Sequence, residues 1–186
     1  MRFHERLQAR KFAVALEITP PQKPLNKVLL RRAQLLDDHV QAINVIQRPG
    51  RQSSLDASLE LLGAGIEPAW HLVTRGRSRA EVAAELARAR AGGIRQALCI
   101  LGDHPADEAD DPVTIREVIA MAREALPEAL VGATLNQYGK DSSAVLKNLL
   151  PKLAAGATYV QTQPAFEAPP VERYAAALRR EFPGTR

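Results

Sequence analysis

The sequence predicts an α/β protein built on a parallel sheet, and three observations support that fold class. Short apolar runs recur about every 28 residues, which is the length of one strand–helix unit. Amphipathic stretches with helical spacing separate these runs. Aromatic residues make up only 4% of the chain, which favours a helix-rich protein over a β-sandwich. Six units in 186 residues fit either a doubly wound sheet or a barrel.

Six apolar runs are predicted as strands. They cover residues 12–18, 40–46, 67–73, 96–101, 129–135 and 158–162. The first strand is expected to stop before Pro20 and Pro21, because proline donates no hydrogen bond to a sheet and restricts the residue before it.

Six stretches between and after these runs are predicted as helices. They cover residues 25–36, 54–62, 78–91, 112–126, 142–155 and 170–182. The clearest is 78–91, where Ser78 and Glu81 form a capping-box pattern and the pair Gly92-Gly93 ends the helix. Asp111 is the predicted N-cap of the helix that follows Pro112. No linker or low-complexity tract interrupts the chain, so residues 1–186 are predicted to form one domain.

Composition and charge exclude several classes of protein. Hydrophobic residues make up 46% and charged residues 25% of the chain, as in ordinary globular proteins. The net charge is only +4, and most arginines fall on predicted helix faces, so no nucleic-acid partner is expected. No apolar run reaches the length of a membrane span, and the N-terminus lacks an apolar signal region, so we expect no membrane association and a cytoplasmic location. The single cysteine, Cys99, lies in an apolar run and is expected to be buried.

The polar side chains most suited to chemistry lie where the predicted strands end. In parallel α/β folds, ligands bind at the carboxyl ends of the strands. Carboxylates, a histidine, amides, hydroxyls and arginines together suit a polar organic ligand. The residues are Glu17; Asn44 and residues 47–54; His71, Thr74 and Arg75; Gly102, Asp103 and His104; Thr134, Asn136, Gln137 and Tyr138; and Gln161, Thr162 and Gln163.

Each of these residues also has a structural interpretation. Glu17 could form a structural ion pair, and His71 could be a core histidine whose hydrogen bonds are satisfied internally. Asp103 and Asn136 could be turn residues. The four histidines show no short-range metal-ligand spacing, so no metal site is predicted. The chain also lacks a glycine-rich dinucleotide motif and a phosphate-binding Walker loop.

Four motifs at these strand ends resemble the methylenetetrahydrofolate reductase family. Residues 16–21 carry its glutamate followed by two residues and two prolines, and residues 71–79 are similar to its third-strand His-Leu motif. Residues 93–103 resemble its Gly-Ile segment ending in Gly-Asp. Residues 152–166 resemble its Lys-x-x-Ala-Gly-Ala segment, followed by Thr-Gln and Phe. The order and intervals of the four motifs agree over nearly the whole chain.

The resemblance implies a (β/α)8 TIM barrel, here truncated to about six βα units. It also implies an activity: the flavin-dependent reduction of 5,10-methylenetetrahydrofolate to 5-methyltetrahydrofolate. The cofactor would then be FAD, the electron donor NADH or NADPH, and the substrate a folate. Because two strands of the barrel are missing, a homo-oligomer or a second chain that completes the barrel is expected.

The resemblance also implies roles for individual residues. Glu17 matches the general acid that opens the folate ring, and an apolar strand end would help it to hold a proton. Asp103 matches a carboxylate close to flavin and folate, whose charge would favour a cationic iminium. The positions that match cofactor contacts are His71, Gly102, Asp103, Asn136 and Lys152. Those that match substrate contacts are Glu17, Gln163 and Phe166.

Several positions depart from the family pattern. Val73 and Ser78 replace a cysteine and an asparagine of the third-strand motif, and Asn136 stands where many members have a tyrosine. These departures and the missing strands leave two other hypotheses open. The chain could be a non-catalytic paralogue that binds folate or a partner, or another one-carbon enzyme on the same scaffold.

Overall fold

The computed structural model describes residues 3–9, 11–36, 39–103 and 109–185. Six parallel strands form one sheet, in which their order in space equals their order along the chain. The strands are β1 (Ala15–Ile18), β2 (Ala42–Val45), β3 (Pro68–Val73), β4 (Gln96–Ile100), β5 (Leu130–Leu135) and β6 (Tyr159–Thr162). In a doubly wound sheet, the order of the strands reverses part-way across the sheet. The order found here shows no reversal, so the sheet is wound as in a barrel.

Seven α-helices are found in the described ranges. They are α1 (Phe3–Gln8), α2 (Asn26–Ala33), α3 (Ser54–Gly63), α4 (Arg79–Ala91), α5 (Ile115–Ala125), α6 (Ser142–Ala154) and α7 (Ala168–Glu181). A short 3₁₀ turn, Gln34–Leu36, extends α2. Helices α2 to α7 each follow one strand, which confirms the six predicted strand–helix units. Helix α1 precedes the first strand and was not predicted.

Two predicted element boundaries need correction. Strand β1 begins at Ala15, three residues later than predicted, and Phe12 is largely exposed. The N-cap of α5 is Thr114 and not Asp111: the Thr114 hydroxyl accepts a hydrogen bond from Glu117 N, and the Glu117 carboxylate accepts one from Thr114 N. The cause is an antiparallel bridge between Pro112 and Ser78, which keeps this stretch extended and delays the helix.

The outer face of the sheet packs against the helices and forms the main core. Side chains alternate between the two faces of a strand, and Trp70 and Leu72 of β3 point outward with their neighbours on β4 and β5. Cys99 belongs to this core, as predicted, and its burial raises the pKa of the thiol to about 12.

The inner face of the sheet is curled, so that strands far apart in the sheet face one another. Side chains from β2, β4 and β6, among them Asn44, Gln96 and Gln161, line a single cavity of about 180 Å³. On the same face, Leu98, Leu130 and Tyr159 form a small apolar cluster, against which Leu7 of α1 and Ile100 pack. Leu98 is paired with His71 in the sheet, so this cluster adjoins the polar side chains at the carboxyl end.

None of the helices in the described part of the chain is both long and apolar enough to cross a membrane.

Candidate functional site

The site predicted from the sequence lies at the carboxyl ends of the strands, on the inner side of the curl. The strand register places Glu17 beside Asn44, and Asn44 beside Ala69, in one row of the sheet. His71 lies two residues beyond Ala69 on β3, and side chains two residues apart share a face. Glu17 and His71 therefore face the same interior.

Glu17 is exposed at the end of β1. It forms no ion pair with any described residue, so the structural ion pair that its position also suggested is not found there. The apolar surroundings expected of a general acid are likewise not supplied by the described residues. The carboxylate is thus free to meet a ligand.

The segment after Glu17 is held in place from two sides. Arg32 of α2 donates a hydrogen bond from Nη1 to the Thr19 carbonyl at 2.8 Å. Gln52 N donates to the Pro21 carbonyl at 2.9 Å, and Pro20 and Pro21 are both buried. These hydrogen bonds therefore hold the Thr19–Pro21 backbone, which follows the exposed Glu17 carboxylate, in a fixed position.

His71 is buried, and its environment keeps the imidazole neutral. Desolvation lowers its pKa to about 4, and its Nε2 atom has no hydrogen-bond partner among the described residues. Thr74 Oγ1 is also buried without a described partner, but Thr74 is three residues from His71 and lies on the opposite face of the strand. A core histidine would be satisfied internally, so an imidazole nitrogen without a described partner at the end of β3 fits a polar ligand better.

Gly102 and Asp103 follow β4 and lie beside the end of β3. The pairing of the two strands continues past their ends, since Thr74 N donates to Ile100 O and Arg75 N to Leu101 O. Arg75 Nη1 also donates to the Gly102 carbonyl at 3.2 Å. The Asp103 side chain is exposed. The predicted strand-end residue His104 lies outside the described residues.

The loops after β5 and β6 are joined by Gln137, one of the predicted strand-end residues. Gln137 is almost fully buried, and its side-chain amide bonds to the main chain of Gln163 in both directions. Asn136 is exposed and accepts a hydrogen bond from Tyr138 N at 3.1 Å, which is the geometry of a turn residue. A glutamine two residues after a strand is the signal in the sequence, and it does not distinguish Gln137 from the polar residues beside it.

Two predicted contact residues lie apart from the inner face. Lys152 is on α6, in the helix layer, and its Nζ donates to the Thr134 carbonyl at 3.1 Å. Its partial burial lowers the pKa of the ammonium group. Phe166 is 88% exposed after β6. The structure brings Glu17, His71, Gly102, Asp103, Asn136 and Gln163 to one edge of the sheet. Phe166 lies in the loop at the same edge, where its N–H donates to the Tyr138 hydroxyl at 3.0 Å, and Lys152 reaches the end of β5 from the helix layer.

The larger cavity of the molecule lies elsewhere. It measures about 560 Å³ and opens at the amino ends of β2 and β3, where Arg6, Gln41 and Arg95 line it. The strand-end residues are at the opposite end of the sheet. Within the described ranges, no group of three or more His, Cys, Asp or Glu side chains could hold a metal ion.

A family model, methylenetetrahydrofolate reductase, matches residues 2–182 of the sequence. The chain belongs to the methylenetetrahydrofolate reductase family. The match spans nearly the whole chain and includes all four motifs on which the predicted resemblance depends, so that prediction is confirmed. A comparison with curated proteins found no match.

Solved structures agree on the fold. The chain is similar to 2,3-dimethylmalate lyase, a member of the PEP mutase/isocitrate lyase superfamily, with a TM-score of 0.66 and 11% identity over 94% of this chain and 66% of that one. It is also similar to phosphonopyruvate hydrolase, in a complex with oxalate and Mg²⁺, with a TM-score of 0.64 and 16% identity over 100% of this chain and 70% of that one. At such identities the likeness concerns the fold alone. The chain spans about two thirds of the length of these proteins.

Proposed function

We propose that this member of the methylenetetrahydrofolate reductase family is a one-carbon oxidoreductase that reduces 5,10-methylenetetrahydrofolate to 5-methyltetrahydrofolate. The observation that carries the proposal is the shared inner face of Glu17 and His71. An exposed carboxylate and a buried, unpartnered imidazole nitrogen face the interior where a flat ligand would lie. Family membership supplies the reaction type.

Flavin fits the residues at the carboxyl end. His71 Nε2 is a buried polar atom that a ring-bearing ligand with hydrogen-bonding edges would satisfy. Val73 and Ile100 are paired on the same inner face and offer an apolar surface above His71. The residues that would hold FAD are therefore His71 and the main chain at Gly102. When bound, FAD would carry a hydride from NADH or NADPH to the folate.

The protein's own groups would handle protons and charge. Glu17 would donate a proton to the ring nitrogen of the folate, so that the five-membered ring opens to an electrophilic iminium. Asp103, fixed beside β3 by the Arg75–Gly102 hydrogen bond, would place a negative charge near that cation. His71 would stay neutral and act by hydrogen bonding, because its pKa of about 4 lies far below physiological pH. Gln163, held by Gln137, would contact the folate.

The position of Lys152 favours a second candidate function. Lys152, expected at the flavin, is hydrogen-bonded to the Thr134 carbonyl from the helix layer. A protein that binds folate or a partner without redox chemistry would not need a flavin contact from Lys152. The same experiment separates the two candidates.

The experiment starts with the absorbance of the purified protein, with and without added FAD. The proposal expects a flavin spectrum that NADH or NADPH bleaches and that methylenetetrahydrofolate restores. Glu17→Gln should abolish folate turnover and leave flavin reduction by NADH or NADPH largely intact. The control Glu128→Gln removes an exposed carboxylate at the opposite end of the sheet and should change neither step.

Two results would contradict the proposal. A colourless protein that takes up no FAD excludes the reductase, and folate binding by that protein would support the second candidate. A Glu17→Gln variant that reduces folate at the normal rate excludes the role given to Glu17.

A further inference from the structure

The larger cavity of the molecule lies at the amino end of the sheet, where the proposed reaction makes no use of it. Its volume is about 560 Å³, and sites that hold small organic molecules measure roughly 300–1,000 Å³. The cavity is bounded by α1, by the start of β2 and by the loops that lead into β3 and β4. Glu17 and His71 lie towards the opposite end of the sheet. The amino-end cavity is therefore large enough for a second ligand, separate from the candidate active site.

Part of the cavity wall is apolar. Val40, Ile66 and Pro68 line it, and Pro68 is buried at the start of β3. Val40 and Ile66 are half-buried and pack against the core cluster that contains Ile43 and Leu61. The fold therefore holds these side chains in place, and they offer a surface to the apolar part of a ligand.

The main chain around the cavity offers few free hydrogen-bond donors. The loops into β3 and β4 each begin at the end of a helix, and their N–H groups are bonded to the last helix carbonyls. Gly65 N donates to Leu62 O at 3.0 Å, and Gly93 N donates to Arg90 O at 3.1 Å. Polar contacts with a ligand must therefore come from side chains. The polar side chains that line the cavity are Arg6, Gln41, Glu67 and Arg95.

Two arginines of the cavity have no described partner of opposite charge. Arg6 is half-buried; its Nη1 donates to the Phe12 carbonyl at 2.8 Å, and its Nε is buried without a partner among the described residues. Arg95 is exposed, and its side chain forms no ion pair or hydrogen bond with any described residue. Glu67 already takes part in an interaction of its own. Since a cation that is partly removed from water is stabilised by a counter-charge, the two arginines favour an anion in this cavity.

Gln41 adds a third donor. Its Oε1 accepts a hydrogen bond from Val14 N at 2.9 Å, which leaves the Nε2 group of the same amide as a donor. Together with the two guanidinium groups, the cavity thus offers donors to a group that only accepts hydrogen bonds. Carboxylate and phosphate are the groups of this kind that arginine binds best, because its planar guanidinium donates two parallel hydrogen bonds to either.

We propose that the amino-end cavity binds a small organic anion. Its carboxylate or phosphate group contacts Arg6 and Arg95, and its apolar body lies against Val40, Ile66 and Pro68. This site is at the opposite end of the sheet from the candidate active site and needs neither flavin nor folate. The inference therefore goes beyond the proposed function and does not depend on it.

The test is an NMR titration of the isotope-labelled full chain with three probes: phenylacetate, phenyl phosphate and the neutral phenylacetamide. Probe concentrations up to about 10 mM detect weak binding. The backbone amide signals of Gln41, Gly65 and Gly93 should shift with at least one of the two anions, and the signal of Asp103 at the carboxyl end should not. Phenylacetamide should bind more weakly than the preferred anion, and added salt should weaken the anion more than the amide.

The variant R95Q shows whether the charge of the cavity is responsible. Arg95 has no described structural partner, so its substitution should leave the fold intact and weaken the preferred anion by about fivefold. The control R90Q removes an exposed arginine of α4 that does not line the cavity and has no described side-chain partner, with the same change in net charge. It should change the affinity by less than about twofold.

The probes also distinguish the two kinds of anion. Tighter binding of phenyl phosphate assigns a phosphate, and tighter binding of phenylacetate assigns a carboxylate. The proposal is overturned if neither anion shifts the signals of the cavity, if phenylacetamide binds as tightly as both anions, or if R95Q and R90Q weaken binding equally. Melting temperatures check folding, and R6Q replaces R95Q if that variant does not fold. Absence of flavin uptake or turnover would overturn the proposed function and leave this result unaffected.

Discussion

Gln137 and Gln163 are joined by a reciprocal pair of hydrogen bonds. Gln137 Nε2 donates to the Gln163 carbonyl at 2.8 Å, and Gln163 N donates to Gln137 Oε1 at 3.0 Å. The amide side chain of one residue thus pairs with the backbone of the other much as a neighbouring strand would. It also donates to the Pro164 carbonyl at 3.2 Å. Gln137 therefore extends the β5–β6 pairing into the loops of the candidate site.

We expect Gln137→Leu to lower the free energy of unfolding by about 2 kcal/mol. The substitution removes two hydrogen bonds to the Gln163 backbone, each worth about 0.5–1.5 kcal/mol, while Gln163 N keeps its bond to the Leu135 carbonyl. Chemical denaturation measures the loss. The control is Gln163→Ala, because the Gln163 side chain is exposed and only its backbone takes part in the pair. That variant should stay within about 0.5 kcal/mol of the wild type. Equal losses for both variants would contradict the structural role of Gln137.

The sequence predicts the frame of the molecule better than the details of the site. Periodicity locates all six strands, because a buried strand and an amphipathic helix leave local patterns in the chain. Gln137 leaves no such pattern, since its partner lies 26 residues away and is a backbone group. Thr114 was missed as an N-cap for a related reason: the bridge between Ser78 and Pro112 joins distant segments. What depends on contacts between distant residues cannot be read from spacing alone.

Gly102 is required by two separate features of the loop after β4. Its φ of +81° lies in the left-handed region, and a Cβ atom there would come within 2.5 Å of Val73 Cγ1. We expect Gly102→Ala to destabilise the fold by about 2–4 kcal/mol through backbone strain and overpacking together. Thermal or chemical unfolding measures the total.

A matched glycine separates the two contributions. Gly65 has the same φ of +81° but no atom within 4 Å of an added Cβ, so Gly65→Ala should cost only the backbone strain of about 1 kcal/mol. In the double variant Gly102→Ala/Val73→Ala, the shorter side chain at position 73 makes room for the added Cβ atom. After the cost of Val73→Ala alone is subtracted, the double variant should therefore lose less free energy of unfolding than Gly102→Ala does. Similar losses for Gly102→Ala and Gly65→Ala would show that the approach to Val73 is unimportant.

Burial of His71 makes the stability of the protein depend on pH. The pKa of His71 is lowered from 6.5 to about 4 in the folded protein, so the unfolded chain binds more protons between these values. Stability from this residue is complete above pH 6.5 and falls as the pH drops toward 4. The loss amounts to at most about 3 kcal/mol.

The variant His71→Gln should flatten this part of the stability profile. Denaturation at several pH values between 7.5 and 4.5 gives the slope for each protein. His39→Gln is the control, because His39 is exposed, and its slope should match that of the wild type. An unchanged slope in His71→Gln would mean that other groups cause the acid sensitivity.

Arg32 is expected to hold the segment that carries Glu17. Its hydrogen bond to the Thr19 carbonyl joins α2 to the loop after β1. The variant Arg32→Met keeps most of the side-chain packing and removes this hydrogen bond, so we expect it to lower the free energy of unfolding by about 1 kcal/mol. It should also speed amide hydrogen exchange at Gln52, because the Gln52 N–H donates to the Pro21 carbonyl of the same segment. Arg31→Met is the control. Arg31 is exposed and has no described partner, and its substitution removes the same charge from the same helix. If both variants speed exchange at Gln52 equally, the effect comes from charge. If only Arg32→Met does so, the hydrogen bond to the Thr19 carbonyl holds the segment that follows the candidate catalytic residue Glu17.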